Sequence, residues 1–206
     1  MSKVKSYLSF IKFSHTIFAM PFALIGFFLA IFENTSVIPG WHTKVFPPAF
    51  DWSSLGIKLI LVILCMVFAR SAAMAFNRYL DRHFDAKNPR TAVREIPAGV
   101  ITPKNALTFT IVSCILFIAS TWFINSICFY LSPVALAVVL GYSYTKRFTP
   151  LCHLILGLGL SLAPIGAYLA VTGEFALLPI LFSIAVIFWV SGFDIIYALQ
   201  DEEFDK

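Results

Sequence analysis

Asn77, Asp81 and Asp85 stand four residues apart in the stretch Asn77-Arg78-Tyr79-Leu80-Asp81-Arg82-His83-Phe84-Asp85. On a helix, this spacing puts an amide and two carboxylates on one face, about a turn apart. Carboxylates so placed repel one another, and at a membrane edge they are costly without a positive charge between them. A divalent cation meets that need; the alternative is a solvated helix end whose acids pair with Arg78 and Arg82. A second acidic stretch, Asp194-Ile-Ile-Tyr197-Ala-Leu-Gln-Asp201-Glu-Glu-Phe-Asp205, repeats the geometry. There Tyr197, Asp201 and Asp205 follow the same spacing, and Asp194 lies one turn before Tyr197. Two such faces suit one or two Mg2+ ions, whose oxygen shells commonly combine carboxylates with substrate phosphates. Metals in such a site neutralise charge developing on a leaving pyrophosphate.

Basic residues complement the acids. Arg70 lies seven residues before Asn77, on the same helical face and two turns deeper in an apolar run. An arginine there is a functional candidate, with a buried carboxylate as the plainer partner. Lys146 and Arg147, in Tyr142-Ser-Tyr144-Thr-Lys146-Arg147, are candidates to hold phosphate oxygens or, equally, to anchor the membrane edge. Arg90 and Arg94 follow the first acidic cluster in a stretch shaped by Pro97 and Gly99. Their planar forks can each donate two bonds to one phosphate.

These residues need helices to position them. The chain is 59% hydrophobic and only 13% charged, with mean hydropathy +0.86. Soluble domains are closer to half apolar and a quarter charged, so an integral membrane protein is expected, with a lipid bilayer as its surroundings. Its 206 residues leave room for five or six spans of about 20 residues each and no separate soluble domain. The fold class expected is an all-α polytopic transmembrane bundle. Six apolar segments run roughly Phe10–Phe32, Leu55–Leu80, Asn105–Phe123, Ser126–Tyr144, Leu151–Val171 and Phe175–Leu199. A Pro/Trp/Phe-rich connection, Glu33–Ser54, separates the first two, and its Trp41 and Trp52 fit an interfacial belt. Without a small-residue cleavage site, the first segment reads as a retained span rather than a signal peptide.

Charge sets the expected orientation. Lys3, Lys5 and Lys12 open the chain, Arg82, Lys87, Arg90, Arg94 and Lys104 lie between spans two and three, and Lys146 and Arg147 between four and five. The other side offers Lys44 and Lys58. The positive-inside rule then places the N-terminus and the Asp85–Lys104 loop in the cytoplasm, in an inner or plasma membrane. Spans two, four and six all end on that face, bringing Asn77–Asp85, Tyr142–Arg147 and Asp194–Asp205 together.

On these motifs the chain resembles the UbiA-type intramembrane aromatic prenyltransferases. The resemblance rests on Asn77-x3-Asp81-x3-Asp85, on Arg90-Thr91…Arg94…Pro97…Gly99, on Tyr144-Thr145-Lys146-Arg147 and on Asp194-x2-Tyr197-x3-Asp201-x3-Asp205, in that order. The opening Phe10–Ala23 stretch looks like the 4-hydroxybenzoate polyprenyltransferase-like branch, which includes menaquinone-pathway members. The resemblance implies Mg2+ held by Asn77, Asp81, Asp85, Asp201 and either Asp194 or Asp205. It further implies a polyprenyl pyrophosphate donor, an aromatic acid acceptor (4-hydroxybenzoate or a naphthoate) and a place in ubiquinone or menaquinone biosynthesis. Asp81, Asp201, Lys146 and Tyr197 would be the catalytic residues. Arg70, Arg90, Arg94, Tyr142, Tyr144 and Arg147 would bind substrate, with Tyr142, Tyr144 or Tyr197 turning a ring face to the allylic cation or hydrogen-bonding the substrate. Many relatives carry Asp where this chain has Arg78. The family usually has nine spans, so residues 1–206 are expected to form a single membrane-embedded domain lacking the last three helices.

Other readings are set aside on placement. A CDP-alcohol phosphotransferase packs its aspartates into one stretch, whereas here they are split between distant segments. A cation transporter favours charges near mid-membrane, and these lie at span ends beside basic loops. A truncated, inactive relative is the remaining alternative, and no nucleic-acid partner enters the reading. His15, His42, His83 and His153 show no ligand spacing and read as structural or interfacial, with His15 the candidate exception. Cys65, Cys114, Cys128 and Cys152 lie in or beside apolar runs and read as packing residues.

Overall fold

The computed structural model describes residues 3–33, 36–37, 44–45 and 51–198. An eight-residue helix, α1 (Lys3–Phe10), precedes α2 (Phe13–Glu33), α3 (Trp52–Asp85), α4 (Pro103–Ile124), α5 (Ser126–Thr145), α6 (Cys152–Thr172) and α7 (Leu177–Ala198). Two two-residue strands, β1 (Ser36–Val37) and β2 (Lys44–Val45), pair antiparallel in the connection after α2. The expected all-helical bundle is what forms. Helices α3 to α7 are each long and apolar enough to cross a membrane, and α2 contributes a shorter apolar stretch, Ala19–Glu33.

Local signals explain the boundaries. The Asp51 carboxylate accepts from the backbone N–H groups of Ser53 and Ser54 and caps α3. The Ser53 hydroxyl bond and these amides hold the Asp51 carboxyl below the usual carboxylate range. Thr102 caps α4 and Pro103 occupies its first turn, where a missing N–H costs nothing. Asn125 ends α4 and starts α5: its Oδ1 accepts from the Cys128 amide, while its Nδ2 donates to the Leu169 carbonyl. The hairpin at Asn125-Ser126 is thus also pinned to the far end of α6.

One boundary differs from the sequence pattern, which runs the first span from Phe10 without a break. The structure breaks it at Ile11-Lys12, where Lys12 takes φ 42°. Phe10 and Ile11 turn inward instead, joining Ala75, Ile96, Ile101 and Ala106 in a core shared by α1, α3, α4 and the loop before α4. Burial of those side chains outweighs continuation of the helix. Burial, and then the guanidiniums of Arg78, Arg94 and Arg90, push the Lys12 ammonium below its ordinary range, opposed by Glu95.

At 34 residues, α3 is about 50 Å long, well over the roughly 30 Å hydrocarbon core. Its last turns therefore reach the interface, which is the level the acidic motif needs. Successive helices α3 to α7 pack as neighbours, and α2 lies against α6 and α3. A second core, with Ala23, Phe27, Ile31, Val62, Ala167 and Ala170, fills that contact.

The α2–α6 crossing is close because Gly26 has no side chain. A Cβ there would overlap the Pro164 backbone carbonyl. Backbone cannot swing aside as a side-chain tip does, so Gly26→Ala should destabilise the fold by about 1–3 kcal/mol. Thermal unfolding in detergent checks this, and an unchanged midpoint would mean the crossing is looser than described.

Candidate active site

Helix ends bring the chemistry together. At the end where α3, α5 and α7 finish and α4 and α6 begin, Asp81 and Asp85 are 7% and 6% exposed. The alternative of a solvated helix end does not survive that burial. Nor do these acids pair with Arg78 or Arg82. Arg82 donates to the Tyr79 carbonyl at 2.6 Å and lies over the Tyr79 ring, while Arg78 is itself buried and pairs with Glu95.

Asp81 is held from the α5–α6 connection. Lys146 Nζ donates to its Oδ2, and Arg147 lies 3.5 Å from its Oδ1. Arg147 also donates to the Leu80 carbonyl at 3.0 Å and sits over the Phe84 ring. Asp85 instead faces the loop before α4. Arg94 donates to its Oδ1 at 2.7 Å and the Thr91 hydroxyl donates to its backbone carbonyl. Its second oxygen, Oδ2, is buried with no partner.

Glu95 completes that clasp, and sequence reasoning passed over it. It accepts from Arg78 and, at 2.6 Å, from the Ser9 hydroxyl, while Arg78 also lies over the Phe10 ring. The loop, α3 and α1 are thus tied by one carboxylate. The signal available was a basic residue, Arg78, next to Asn77 inside an acidic motif. A carboxylate within reach was required for it.

A cavity of about 760 Å³ opens between α2 and the helices α3 to α7. Arg70, Asn77, Tyr142, Asp194 and Tyr197 line its polar end, and residues such as Val62, Met66, Leu131 and Leu160 its apolar walls. It reaches Phe175, in the α6–α7 connection at the opposite end. Arg70 Nε is buried there with no hydrogen-bond partner. Asp194 meets His153 across the α6–α7 contact, with His153 Nδ1 2.7 Å from its Oδ2.

Not every candidate reaches this cavity. Tyr144 is 47% exposed, packed against Phe76 rather than lining the space. Arg90 lies in the loop, its backbone N–H donating to the Asn88 side chain. His83 is exposed. Asp201, Asp205, His42 and Trp41 lie outside the described residues.

For Mg2+, the donor set is one of hard oxygens: the Asn77 amide and the carboxylates of Asp81, Asp85 and Asp194. The orphaned Asp85 Oδ2 fits a cation, since a buried carboxylate oxygen without a partner is costly. Among the described residues, no three carboxylate, imidazole or thiol side chains converge on one point.

The profile of the UbiA prenyltransferase family matches residues 19–206. A curated relative named 4-hydroxybenzoate octaprenyltransferase, from Tolumonas auensis, is 35% identical over 166 residues, covering 80% of this chain and 56% of its own. Another of that name, from Albidiferax ferrireducens, is 31% identical over 176 residues, covering 85% and 54%. The chain thus spans about half the length of the curated relatives it matches. A solved UbiA homolog from Aeropyrum pernix superposes with TM-score 0.76 at 33% identity, covering 94% of this chain and 66% of that one. A UbiA homolog from Archaeoglobus fulgidus, solved with GPP and Mg2+, shares the fold at TM-score 0.68 and 21% identity, covering 97% and 65%. With its apolar helices on that same fold, the chain is an integral membrane protein and belongs to the UbiA prenyltransferase family.

Proposed function

We propose that the protein transfers a polyprenyl group from polyprenyl pyrophosphate to a ring carbon of an aromatic acid in quinone biosynthesis, with Mg2+ as cofactor. The observation that carries this reading is the cavity itself. A half-buried arginine, an amide, a carboxylate and two tyrosines share one polar end, and the rest is mostly apolar over the height of the bundle. Such a space suits a charged head and a long hydrocarbon tail.

Charge and neighbourhood support the following roles. Asn77, Asp81, Asp85 and Asp194 would hold Mg2+, with Asp201 and Asp205 from the C-terminal stretch. Bound there, the ion would neutralise charge on the leaving pyrophosphate. Lys146, Arg147 and Arg94 already stand beside Asp81 and Asp85, where they would meet the pyrophosphate oxygens. The allylic C–O bond breaks and its electron pair leaves with the pyrophosphate. The ring carbon supplies a π pair to the new C–C bond and then loses its proton. Tyr142 and Tyr197 would present ring faces to the cation, and Arg70 would receive the acceptor's carboxylate. Apolar walls exclude water that would otherwise capture the cation. The site would face the cytoplasm, as the basic loops require.

The test is transfer of a labelled prenyl group, in membranes, to a panel including 4-hydroxybenzoate and a dihydroxynaphthoate. Product is expected with Mg2+, none after chelation, and recovery when Mg2+ is returned. Turnover insensitive to EDTA would defeat the cofactor assignment. Absence of product with every acceptor, from this chain and from any longer form, would defeat the function.

A further inference from the structure

Asp194 is approached from behind. It lines the cavity, whereas His153, on the first turn of α6, does not. The imidazole Nδ1 lies 2.7 Å from Asp194 Oδ2, and both side chains are 24% exposed. A nitrogen facing a carboxylate carries the proton in either charge state of the ring, so the imidazole donates. That contact occupies Oδ2 and leaves Oδ1 available to the cavity.

The surrounding contacts fix the two helices at this level. Ser191, three residues before Asp194 and so on a neighbouring part of the same helical face, has its hydroxyl shared between the Ile187 carbonyl of its own helix at 2.6 Å and the His153 backbone carbonyl at 3.0 Å. Gly157, one turn after His153, permits the approach: a Cβ there would lie 2.6 Å from Ser191 Oγ. The α6 backbone thus sets the position of α7, and the His153 side chain sets the rotation of the one carboxylate that α7 gives to the cavity within the described residues. Residues 195–198, beyond Asp194, are exposed and offer no such restraint.

We propose that His153 is the positioning residue for Asp194, its Nδ1–H orienting the carboxylate so that Oδ1 is presented to the polar end of the cavity. The proposal rests on the prenyl-transfer reading. Groups that support an oxygen ligand in this way are worth about ten- to a hundredfold in metal affinity or activity.

Three variants test it. His153→Leu keeps bulk and removes the donor, and His153→Asn returns an N–H near the position of Nδ1. Ser191→Ala loosens the α6–α7 contact without touching the carboxylate. Transfer kinetics would be measured in membranes, and Mn2+ binding by electron paramagnetic resonance in detergent with a non-ionisable prenyl pyrophosphate analogue. His153→Leu should lower kcat/KM and Mn2+ affinity by about ten- to a hundredfold, and His153→Asn should restore most of both. Ser191→Ala should lower thermal stability while leaving Mn2+ affinity within about twofold. Equal impairment of the Leu and Asn variants, or unchanged Mn2+ binding in His153→Leu, would overturn the role. An inactive parent chain with every acceptor would instead count against the prenyl-transfer reading, and the Mn2+ measurement would still decide the role of His153.

Discussion

Asp81→Ala should abolish prenyl transfer, lowering the rate by at least about 10²–10³, the scale seen when one preorganised electrostatic partner of a reacting group is lost. Asp81 draws basic side chains from outside its own helix. It comes from α3, it is 7% exposed, and it meets both Lys146 and Arg147 from the α5–α6 connection. Removing its carboxylate takes away a candidate Mg2+ ligand and also releases the two cations that it holds. Their side chains are 27% and 32% exposed, so they can rehydrate, and the fold should tolerate the change. Membrane insertion and thermal stability should therefore stay close to the parent. Asp81→Asn keeps the shape and loses the charge, and it should be nearly as inactive. Initial rates at matched amounts of inserted protein check both variants, and full activity in either would remove Asp81 from the site.

Arg70→Leu is expected to move function and stability in opposite directions. Arg70 lines the cavity, and its Nε is buried with no partner. A guanidinium half-buried in an apolar wall without a counter-ion is a burden on the fold, and a hydrophobic residue of similar volume often relieves it. The variant should thus melt at the same temperature or higher. Use of the aromatic acid should fall, because hydrogen bonds to a charged partner are worth about 1.5–3 kcal/mol, or roughly ten- to a hundredfold in kcat/KM. The loss should appear in the KM for the acceptor more than in that for the prenyl pyrophosphate. A variant that both melts earlier and binds the acceptor normally would identify Arg70 as a structural residue.

The two predictions rest on different levels of evidence. The face shared by Arg70 and Asn77 is a matter of helical periodicity, and the spacing of Asn77, Asp81 and Asp85 is as well. Both were legible because neighbours on one helix are fixed by sequence separation. The apolar segments were legible for a similar reason, since a bilayer accepts only stretches that are long and apolar enough. The break at Lys12 was not. It depends on Phe10 and Ile11 finding a core made by α3, α4 and the loop, which no local pattern records.

Which partner each charge takes was also hidden. Within α3, Arg78 and Arg82 are the nearest cations to Asp81 in sequence. Yet Arg78 turns to Glu95 and Arg82 to the Tyr79 carbonyl, and Asp81 receives Lys146, 65 residues away. Arg82, next to Asp81 in sequence, is turned onto another face, while Arg78, three residues away and on a neighbouring part of the same face, is taken by Glu95 from the loop, so tertiary packing decides what meets. The same packing divides the first acidic motif, with Asn77 on the cavity, Asp81 on the α5–α6 connection and Asp85 on the loop before α4. It also gives His153 a task that its spacing could not reveal.

By itself, then, the sequence determined a membrane-spanning helical chain with acidic and basic residues gathered at one set of helix ends. Period, length and hydropathy are local quantities, and those properties follow from them. Only the tertiary structure decided that Asp81 and Asp85 are buried, that Arg70 shares a cavity with Asp194, and that an imidazole stands behind that carboxylate. These depend on how each helix is rotated against its neighbours, which is set by close contacts such as Gly26 on Pro164 and Gly157 on Ser191.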